Sequence, residues 1–198
     1  MDKYEQIRNS LQTFDILNCV HHDWFWRLIG HVAMVVRMPG DILMVWESTS
    51  RNKWAEVAGT QINLMSDWVE NYPGDVFVRR TFVAPEYKED AESRLMEYIE
   101  KYRGKPYPAF FTWPGMRYML NQVLDLPIPG PWNNDPNTEN RDCSDRVAHT
   151  LQYCGLLDPR LNCSEVEPDN FRQKKFGNWK IAKYLLPGVT LGNEEQIK

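Results

Sequence analysis

The sequence predicts an α+β protein, because strand patterns and separate helix patterns occur in the same chain. Residues 30–37 and 42–48 are apolar, partly β-branched runs on either side of a turn signal at residues 38–41, which predicts an antiparallel hairpin. Residues 86–103 repeat apolar side chains at helical spacing and are followed by Gly104, so they predict a helix. Both hairpin strands are apolar on both faces, which is typical of a covered, central sheet.

The remaining elements follow from shorter patterns of the same kind. Before the helix at 86–103 we expect a helix over residues 2–12, a strand entry at 14–17, a short aromatic helix at 20–29, a strand within 57–64, a helix over 67–71 capped by Ser66 and a strand over 75–82. After it we expect a helix over 112–124, a loop at 127–140, a helix from 143 to Gly155, a helix start at Pro168 and a last strand over 178–186. No repeat or linker divides the chain, so we expect a single domain over residues 1–198.

Composition and charge limit the classes of function that we expect. The chain of 198 residues has a formal net charge of −4, which argues against a nucleic-acid partner, because such proteins present a basic surface. No apolar run approaches the roughly 18–20 residues that cross a bilayer, and the first residues lack the order of a signal peptide. We therefore expect no transmembrane segment and a cytoplasmic location, with peripheral membrane contact left open.

The cysteines and histidines set the expectations for metals and disulfides. The cysteines form no CxxC pair, and the histidines are not interleaved with them at zinc-finger spacing. Four cysteines in a chain of this length do not make a disulfide scaffold. We therefore expect neither a structural metal nor a disulfide framework.

Cys143 stands at the predicted first turn of a helix that follows a polar, proline-rich loop. Asp142 or Ser144 can serve as the N-cap, since either side-chain oxygen can accept a hydrogen bond from an amide of the first turn. The unpaired amides and the positive end of the helix dipole favour a thiolate, which is the nucleophile of cysteine hydrolases. The alternative is a small core residue, because free cysteine is often buried. The local sequence leaves both open.

His31 and Glu47 are the candidates for the base and for the group that orients it, which a cysteine hydrolase also requires. His31 begins the first strand of the hairpin, and Glu47 lies near the end of the second. In an antiparallel hairpin the start of one strand lies beside the end of the other, so the two side chains become neighbours. The alternative is a core histidine with a structural glutamate partner, since buried ion pairs also occur outside active sites.

Other candidate residues have weaker support. His149 shares the helix of Cys143, but six residues at about 100° each turn it to another face, so we expect a surface or packing residue. Cys19, Cys154 and Cys163 lack a comparable helix start, and we expect them to be structural thiols.

Aromatic side chains are numerous and bear on what a cleft could bind. Trp24 and Trp26 belong to a run that could line a cleft, and with residues 110–113 they could form an apolar acyl pocket. Aromatic residues more often belong to the core, so that interpretation stays open.

Four motifs, taken in order, carry a resemblance to a known family. They are the Asp-Ile-Leu at 15–17, the Gly-His strand at 30–35, the Glu-Ser at 47–48 and the Asp-Cys-Ser-Asp at 142–145. Their order resembles the YiiX/YaeF family, the circularly permuted members of the NlpC-type papain-like superfamily, which is related to lecithin retinol acyltransferase. Further matches, over about residues 13–180 in all, are the strand at 75–80, the Gly-x-x-Tyr at 104–107 and the Pro-x-x-Phe at 168–171.

The resemblance implies a fold and a set of roles. The fold is a circularly permuted papain-like one, with a small antiparallel sheet or half-barrel packed against the helix of the nucleophile. Cys143 is then the nucleophile, His31 the base and Glu47 the orienting residue, and Tyr107 lies near the oxyanion. The reaction is acyl transfer through a thioester, which needs no metal or organic cofactor. In the unpermuted relatives the cysteine helix precedes the histidine strand, and here it follows.

Three positions depart from the pattern of this family. Phe14 stands where a glycine is expected, Gly30 where a serine is often found, and Asp145 where a glutamate is often found two residues after the cysteine. None of these changes removes a catalytic group. The loop at 127–140 resembles an insertion specific to this chain or its subgroup.

Several functions are compatible with these residues. A cysteine amidase or peptidase would act on a small-molecule or peptide substrate. The alternatives are a lipid acyl hydrolase or acyltransferase, and a non-catalytic lipid- or peptide-binding module on the same scaffold. An interaction protein in which Cys143 is a core residue predicts a fully buried thiol with no cleft beside it. The oligomeric state is not predicted.

Overall fold

The structure is a computed structural model, and it describes residues 3–24, 27, 30–50, 58–107, 141–173 and 181–198. These residues contain, in chain order, α1 (Lys3–Ile7), β1 (Ile16–His21), β2 (His31–Met38), β3 (Ile42–Thr49), β4 (Gly59–Leu64), α2 (Met65–Asn71), β5 (Gly74–Val83), α3 (Pro85–Tyr102), α4 (Cys143–Tyr153) and β6 (Val189–Gln196). The strands form one sheet in the order β4-β3-β2-β1-β5-β6, and every neighbouring pair is antiparallel. The α+β prediction is confirmed.

The hairpin predicted from the two apolar runs is β2–β3. Met38 pairs with Ile42, so three residues make the turn. Gly40 and Asp41 in that turn have positive φ angles of 77° and 60°. Glycine adopts such angles without steric cost, and aspartate tolerates them better than most residues do. The turn therefore sets the register of the hairpin.

Apolar side chains cover both faces of the sheet, as the hairpin sequence predicts. One face, which includes Val32 and Trp46, packs against residues of α3 and α4. The opposite face, which includes Ala33 and Val45, packs against residues of α1 and α2. Since successive residues of a strand point to opposite faces, β2 and β3 contribute to both cores and are buried on both sides.

Helix α4 is fixed to strand β3 by two polar contacts. Trp46 Nε1 donates to Thr150 Oγ1 at 3.0 Å, and Ser48 Oγ donates to the carbonyl oxygen of Arg141 at 2.6 Å. All four residues are buried, where an unmade hydrogen bond is costly. The start of α4, with Cys143, is thereby held beside β3.

Asp15 organises the turn that precedes β1. Its carboxylate accepts from the backbone N–H of Gln12 and of Thr81, both at 2.9 Å, and from Arg80 Nη1 at 2.9 Å. The preceding residue, Phe14, has a φ of 76°, a conformation that favours glycine. This is the position at which the family resemblance expects glycine. Phe14 is fully buried, and burying its ring gives about 1.5–3 kcal/mol against a strain of roughly 1–2 kcal/mol.

Two sequence predictions are wrong in position. Leu64, and not Ser66, is the N-cap residue of α2, and the Ser66 hydroxyl instead bonds Asp67. The predicted strand at 178–186 forms a 3-10 turn at Ile181–Tyr184 in its described part, and the last strand is β6. The sequence of β6 is largely polar because the strand lies at an edge of the sheet, so its apolar content gives a weak signal.

Some predicted segments lie outside the described residues. They are the helix at 112–124, the loop at 127–140 and positions 25, 26, 28 and 29 of the aromatic segment. The helix predicted over 20–29 is wrong at its start, because β1 extends as far as His21. The inserted loop and the single domain therefore stay predictions. Within the part of the chain that the structure describes, no helix is long and apolar enough to cross a membrane.

Replacing Asp15 by alanine is expected to lower the free energy of unfolding by about 2–4 kcal/mol, because the buried Thr81 amide and the Arg80 guanidinium would lose their acceptor. Urea unfolding followed by circular dichroism measures this change. Asp90→Ala is the matched control, since Asp90 also pairs with an arginine but its side chain is 65% exposed. It should change stability by no more than about 0.5 kcal/mol. Equal effects of the two variants would contradict the role given to Asp15.

Candidate active site

His31 and Glu47 are in contact, as the hairpin geometry predicts. His31 Nε2 lies 2.7 Å from Glu47 Oε2, and the two side chains are 10% and 0% exposed. Met34 pairs with Trp46, so the same register puts Glu47 opposite Ala33 and diagonal to His31 on one face of the sheet. Diagonal neighbours on one face are within reach of long side chains.

Two amides from the neighbouring strand hold the other oxygen of the Glu47 carboxylate. Gln61 Nε2 and Asn63 Nδ2 donate to Oε1 at 3.0 and 2.9 Å, and Gln61 is the β4 residue paired with Glu47. A buried carboxylate is costly unless it is paired and hydrogen-bonded, and these contacts supply the partners. Sequence reasoning missed both residues, although two amides two positions apart in a predicted strand are a signal for one polar face.

Cys143 is the first residue of α4, and Asp142 is the N-cap. The Asp142 carboxylate accepts from the backbone N–H of Asp145 at 2.9 Å and from the Ser144 hydroxyl at 3.0 Å. The choice left open between Asp142 and Ser144 therefore falls on Asp142. Burial and the neighbouring Asp145 carboxylate raise the pKa of Asp142. The amide of Cys143 belongs to the first turn, where a helix offers no carbonyl of its own as a partner.

His31 connects the hairpin to the helix, because it hydrogen-bonds the side chain of Cys143 as well as that of Glu47. Since Nε2 faces Glu47, Nδ1 is the ring nitrogen left for the sulfur. Burial by itself lowers the pKa of His31, but the hydrogen bonds and the charges of Cys143 and Glu47 more than reverse this effect and raise the pKa to about 10. The arrangement therefore favours a protonated imidazole between two acidic groups.

Tyr107 lies near enough to Cys143 and Asp142 to feel their charges, and its place beside an oxyanion stays a prediction. Burial and the proximity of Cys143 and Asp142 raise the pKa of its hydroxyl well above the ordinary value, so the hydroxyl stays a neutral donor. The segment that leads to it is bonded to the edge of the sheet. The Gly104 amide donates to the Thr60 carbonyl at 2.7 Å, and the Thr60 amide donates to the Lys105 carbonyl at 2.8 Å.

A cleft of about 290 Å³ opens beside His31. Its lining includes the charged side chains of Arg27, Asp75, Asp169 and Arg172. Cys143 is not among the lining residues and is only 2% exposed. The alternative in which Cys143 is a core residue predicts a buried thiol. It does not predict a cleft lined by His31, the hydrogen-bond partner of that thiol.

Gly30, which precedes His31, has a φ of 67°. A Cβ at this position would meet the Cβ of Pro168 at 3.4 Å. The left-handed backbone favours glycine, which accounts for a glycine at this position. The left-handed backbone at Gly30 leads the chain directly into β2 at His31.

Trp24 is not brought together with these residues. Trp24 is 74% exposed and does not line the cleft beside His31, because its side chain lies in solvent. Trp26 and residues 110–113 lie outside the described residues. His149 is a packing residue, as predicted. Its Nδ1 lies 2.6 Å from the Tyr98 hydroxyl, and burial, with nearby cationic side chains, lowers its pKa to about 3.

The remaining thiols are buried. Cys163 Sγ donates to Gln152 Oε1 at 2.8 Å, and burial raises the pKa of both Cys154 and Cys163. Cys19 differs from these two because it is paired with His31 across β1 and β2 and lines the cleft. Burial, with the nearby Glu47 and Cys143, raises its pKa well above the ordinary value.

Sequence reasoning missed Cys19 as a neighbour of the site, and it also missed Tyr72. The Tyr72 ring stacks on that of His31, with centroids 6.2 Å apart and an interplanar angle of 17°. No local pattern announces either contact, because both depend on how distant segments pack.

No metal centre is indicated among the residues that the structure describes, since none of their His, Cys, Asp and Glu side chains form a group of three or more that could hold an ion. In comparisons with known proteins, no family model and no curated sequence matches the chain. The geometry of the residues themselves is therefore what supports a function.

The raised pKa of His31 predicts a definite pH dependence of stability. The folded pKa of about 10 exceeds the ordinary value of 6.5, so the contribution of His31 to the free energy of unfolding is complete below about pH 6.5 and is lost as pH rises through 10. Urea unfolding of wild type and His31→Gln under reducing conditions should give a difference that is largest at pH 6 and shrinks towards pH 10.

His149→Gln is the matched control, because the lowered pKa of His149 gives the opposite sign. Its contribution is present above about pH 6.5 and is lost as pH falls towards 3. A His31 difference that stays constant between pH 6 and 10 would contradict the protonated imidazole.

Proposed function

We propose that this protein is a cysteine hydrolase of amides or peptides, with Cys143 as the nucleophile, His31 as the base and Glu47 as the orienting group. The single observation that carries the proposal is the buried chain of hydrogen bonds in which His31 joins Glu47 at 2.7 Å to the Cys143 side chain. A nucleophile, a base and a third group that orients the base are the parts of such a site.

The proposed reaction begins with the Cys143 proton on His31. The thiolate attacks the substrate carbonyl carbon, a C–S bond forms, and the carbonyl electron pair moves to oxygen. The tetrahedral intermediate collapses, the C–N bond breaks, and His31 gives its proton to the departing amine. Water then attacks the thioester carbonyl carbon while His31 takes one of its protons. The C–S bond breaks, the proton is shared again between His31 and the Cys143 sulfur, and the carboxylic acid is released.

The developing oxyanion would be stabilised by two donors beside Cys143. One is the backbone amide of Cys143 in the first turn of α4, at the positive end of the helix dipole. The other is the Tyr107 hydroxyl, whose raised pKa keeps it protonated. A neutral donor is suited to a charge that forms only during the reaction.

Glu47 would orient the imidazole without taking its proton. Its second oxygen accepts from Gln61 and Asn63, so the carboxylate cannot rotate without losing three hydrogen bonds. That constraint fixes the direction of Nε2 of His31 and leaves Nδ1 for the sulfur. A fixed direction of the base is what an orienting residue contributes.

The cleft favours an amide or peptide substrate over a lipid acyl chain. Its volume of about 290 Å³ and its charged lining suit a compact polar group. A long acyl chain requires a predominantly apolar pocket, and Trp24, expected to help form one, lies exposed. Lipid acyl transfer is therefore the less favoured form of the same chemistry.

The circularly permuted papain-like fold is part of this proposal. A histidine strand that precedes the cysteine helix in the chain, and a six-stranded antiparallel sheet packed against that helix, agree with the resemblance to the YiiX/YaeF family. The strand that contributes Glu47 lies beside the histidine strand, as the hairpin pattern predicts.

A non-catalytic binding module is the second candidate, and the 2% exposure of Cys143 is the observation in its favour. The two candidates differ in the reactivity of this thiol. If the site is active, iodoacetamide at pH 7 should label Cys143 at least about tenfold faster than Cys154 or Cys163. Peptide mass spectrometry of partially labelled native protein measures the three rates.

Cys143→Ala should remove the fast phase of labelling, and Cys154→Ala, which removes another buried thiol, should leave it unchanged. If Cys143 reacts no faster than the other thiols in the folded protein, the hydrolase proposal is wrong and the binding module is favoured. A screen of peptides, acyl amides and lipid esters, with Cys143→Ala as the blank, then identifies the substrate class.

Glu47→Gln should lower turnover of the substrate found in that screen by roughly 10²–10⁴-fold, because the imidazole would lose its orienting charge while the side-chain shape is kept. Glu100→Gln, an exposed position in α3, is the control and should retain wild-type turnover. A Glu47→Gln variant that is folded and fully active would show that Glu47 has a structural role alone.

A further inference from the structure

The Tyr72 ring lies beside the His31 ring and nearly parallel to it. The two planes are within 17° of parallel, with centroids 6.2 Å apart, inside the range over which aromatic rings interact. Both residues are buried, at 2% and 9% exposure. Tyr72 belongs to the short segment between α2 and β5, so this contact joins the base to a part of the chain that none of the roles above uses.

Tyr72 is itself held from several sides. The Trp68 ring stacks on the Tyr72 ring with centroids 5.1 Å apart, and the Tyr72 amide donates to the Trp68 carbonyl at 2.9 Å. Lys198 Nζ donates to the Tyr72 carbonyl at 2.7 Å. The phenol group also bonds Cys19, the residue paired with His31 in the sheet. The ring therefore cannot move away from His31 without breaking other contacts.

A hydrogen bond to Glu47 fixes one nitrogen of His31 but leaves the ring able to tilt about that bond. Tilting would turn Nδ1 away from the sulfur, and hydrogen bonds weaken steeply when they are not linear. We infer that Tyr72 is a positioning residue, whose ring holds the plane of the His31 imidazole so that its two nitrogens face Glu47 and Cys143 together. This inference rests on the proposed function and adds to it a residue that acts through His31.

The pKa of His31 is the quantity that tests the role of Tyr72. The titratable groups in contact with His31 or paired with it are Glu47 from β3, Cys143 from α4, Cys19 from β1 and Tyr72 itself. The cleft beside it is also lined by the charged side chains of Arg27, Asp75, Asp169 and Arg172. Burial keeps Tyr72 neutral, since it raises the pKa of the phenol well above the ordinary value. Loss of alignment would weaken the bonds to Glu47 and Cys143 that raise the pKa of His31, so that pKa should fall towards 6.5.

The test is an NMR titration of histidine-labelled protein, in wild type, Tyr72→Phe and Tyr72→Met. The chain has four histidines, and His31→Gln assigns the signal. Tyr72→Phe keeps the ring and should leave the pKa of His31 close to wild type. Tyr72→Met keeps apolar bulk without a flat ring and should lower it by about 1 unit, the equivalent of one charged hydrogen bond.

Tyr4→Met is the matched control, because Tyr4 is a buried tyrosine of the same core layer, and it should leave the pKa of His31 unchanged. An unchanged pKa in Tyr72→Met overturns the inference. A shift in Tyr72→Phe as large as that in Tyr72→Met also overturns it, since the hydroxyl and not the ring would then be responsible. If Tyr72→Met does not fold, Trp68→Leu replaces it, with a smaller shift in the same direction expected and no shift overturning the inference.

The labelling rate of Cys143 separates this inference from the proposed function. If Cys143 of the wild type reacts no faster than Cys154 and Cys163, the proposed function fails, whatever the titrations show. If it reacts fast, and Tyr72→Met keeps both that rate and the pKa of His31, only the role of Tyr72 fails. A fast wild-type rate that falls in Tyr72→Met but not in Tyr72→Phe supports both.

Discussion

The contact between His31 and Glu47 is the interaction on which the rest of the site depends. Glu47 is fully buried, and a carboxylate in such a place must be paired and hydrogen-bonded. His31 Nε2 meets one oxygen at 2.7 Å, and Gln61 and Asn63 meet the other. Three neighbouring strands thus converge on one carboxylate. A change of register by one residue would turn Glu47 to the opposite face of the sheet and break all of these bonds at once.

The alternation of strand β3 links this contact to α4, the helix that begins at Cys143. Trp46 and Ser48 point to one face of the sheet. Trp46 bonds Thr150 of α4, and Ser48 bonds the carbonyl of Arg141 just before that helix. Glu47, between them, points to the other face and bonds His31. His31 is the first residue of β2, at the margin of the sheet, where a side chain can reach the start of α4. Residues 46–48 therefore determine both the position of α4 along β3 and the direction of the His31 imidazole.

What the sequence could predict follows from whether a feature is local. The hairpin, the contact of His31 with Glu47 and the helix start at Cys143 each depend on residues close in the chain or on strand geometry, and the structure agrees with them. Strand β6 was missed because an edge strand need not be apolar. Tyr72 was missed because its contact with His31 depends on the packing of α2 against the sheet, which no periodicity encodes. Phe14 shows a third case, in which burial of a side chain outweighs a backbone conformation that favours glycine.

The energetic cost of the polar cluster bears on what it is for. A buried ion pair is weak evidence for stability, since apolar residues of similar volume often stabilise a core as well or better. A purely structural role for Glu47 does not explain why two amides and a histidine hydrogen-bond it, or why that histidine lines a cleft with charged side chains. Perturbed ionisable groups beside a cleft are more frequent at functional sites than elsewhere. A protonated imidazole held between a carboxylate and a thiol is what the proposed acyl transfer would use, so the proposed function would account for a cluster that stability alone does not require.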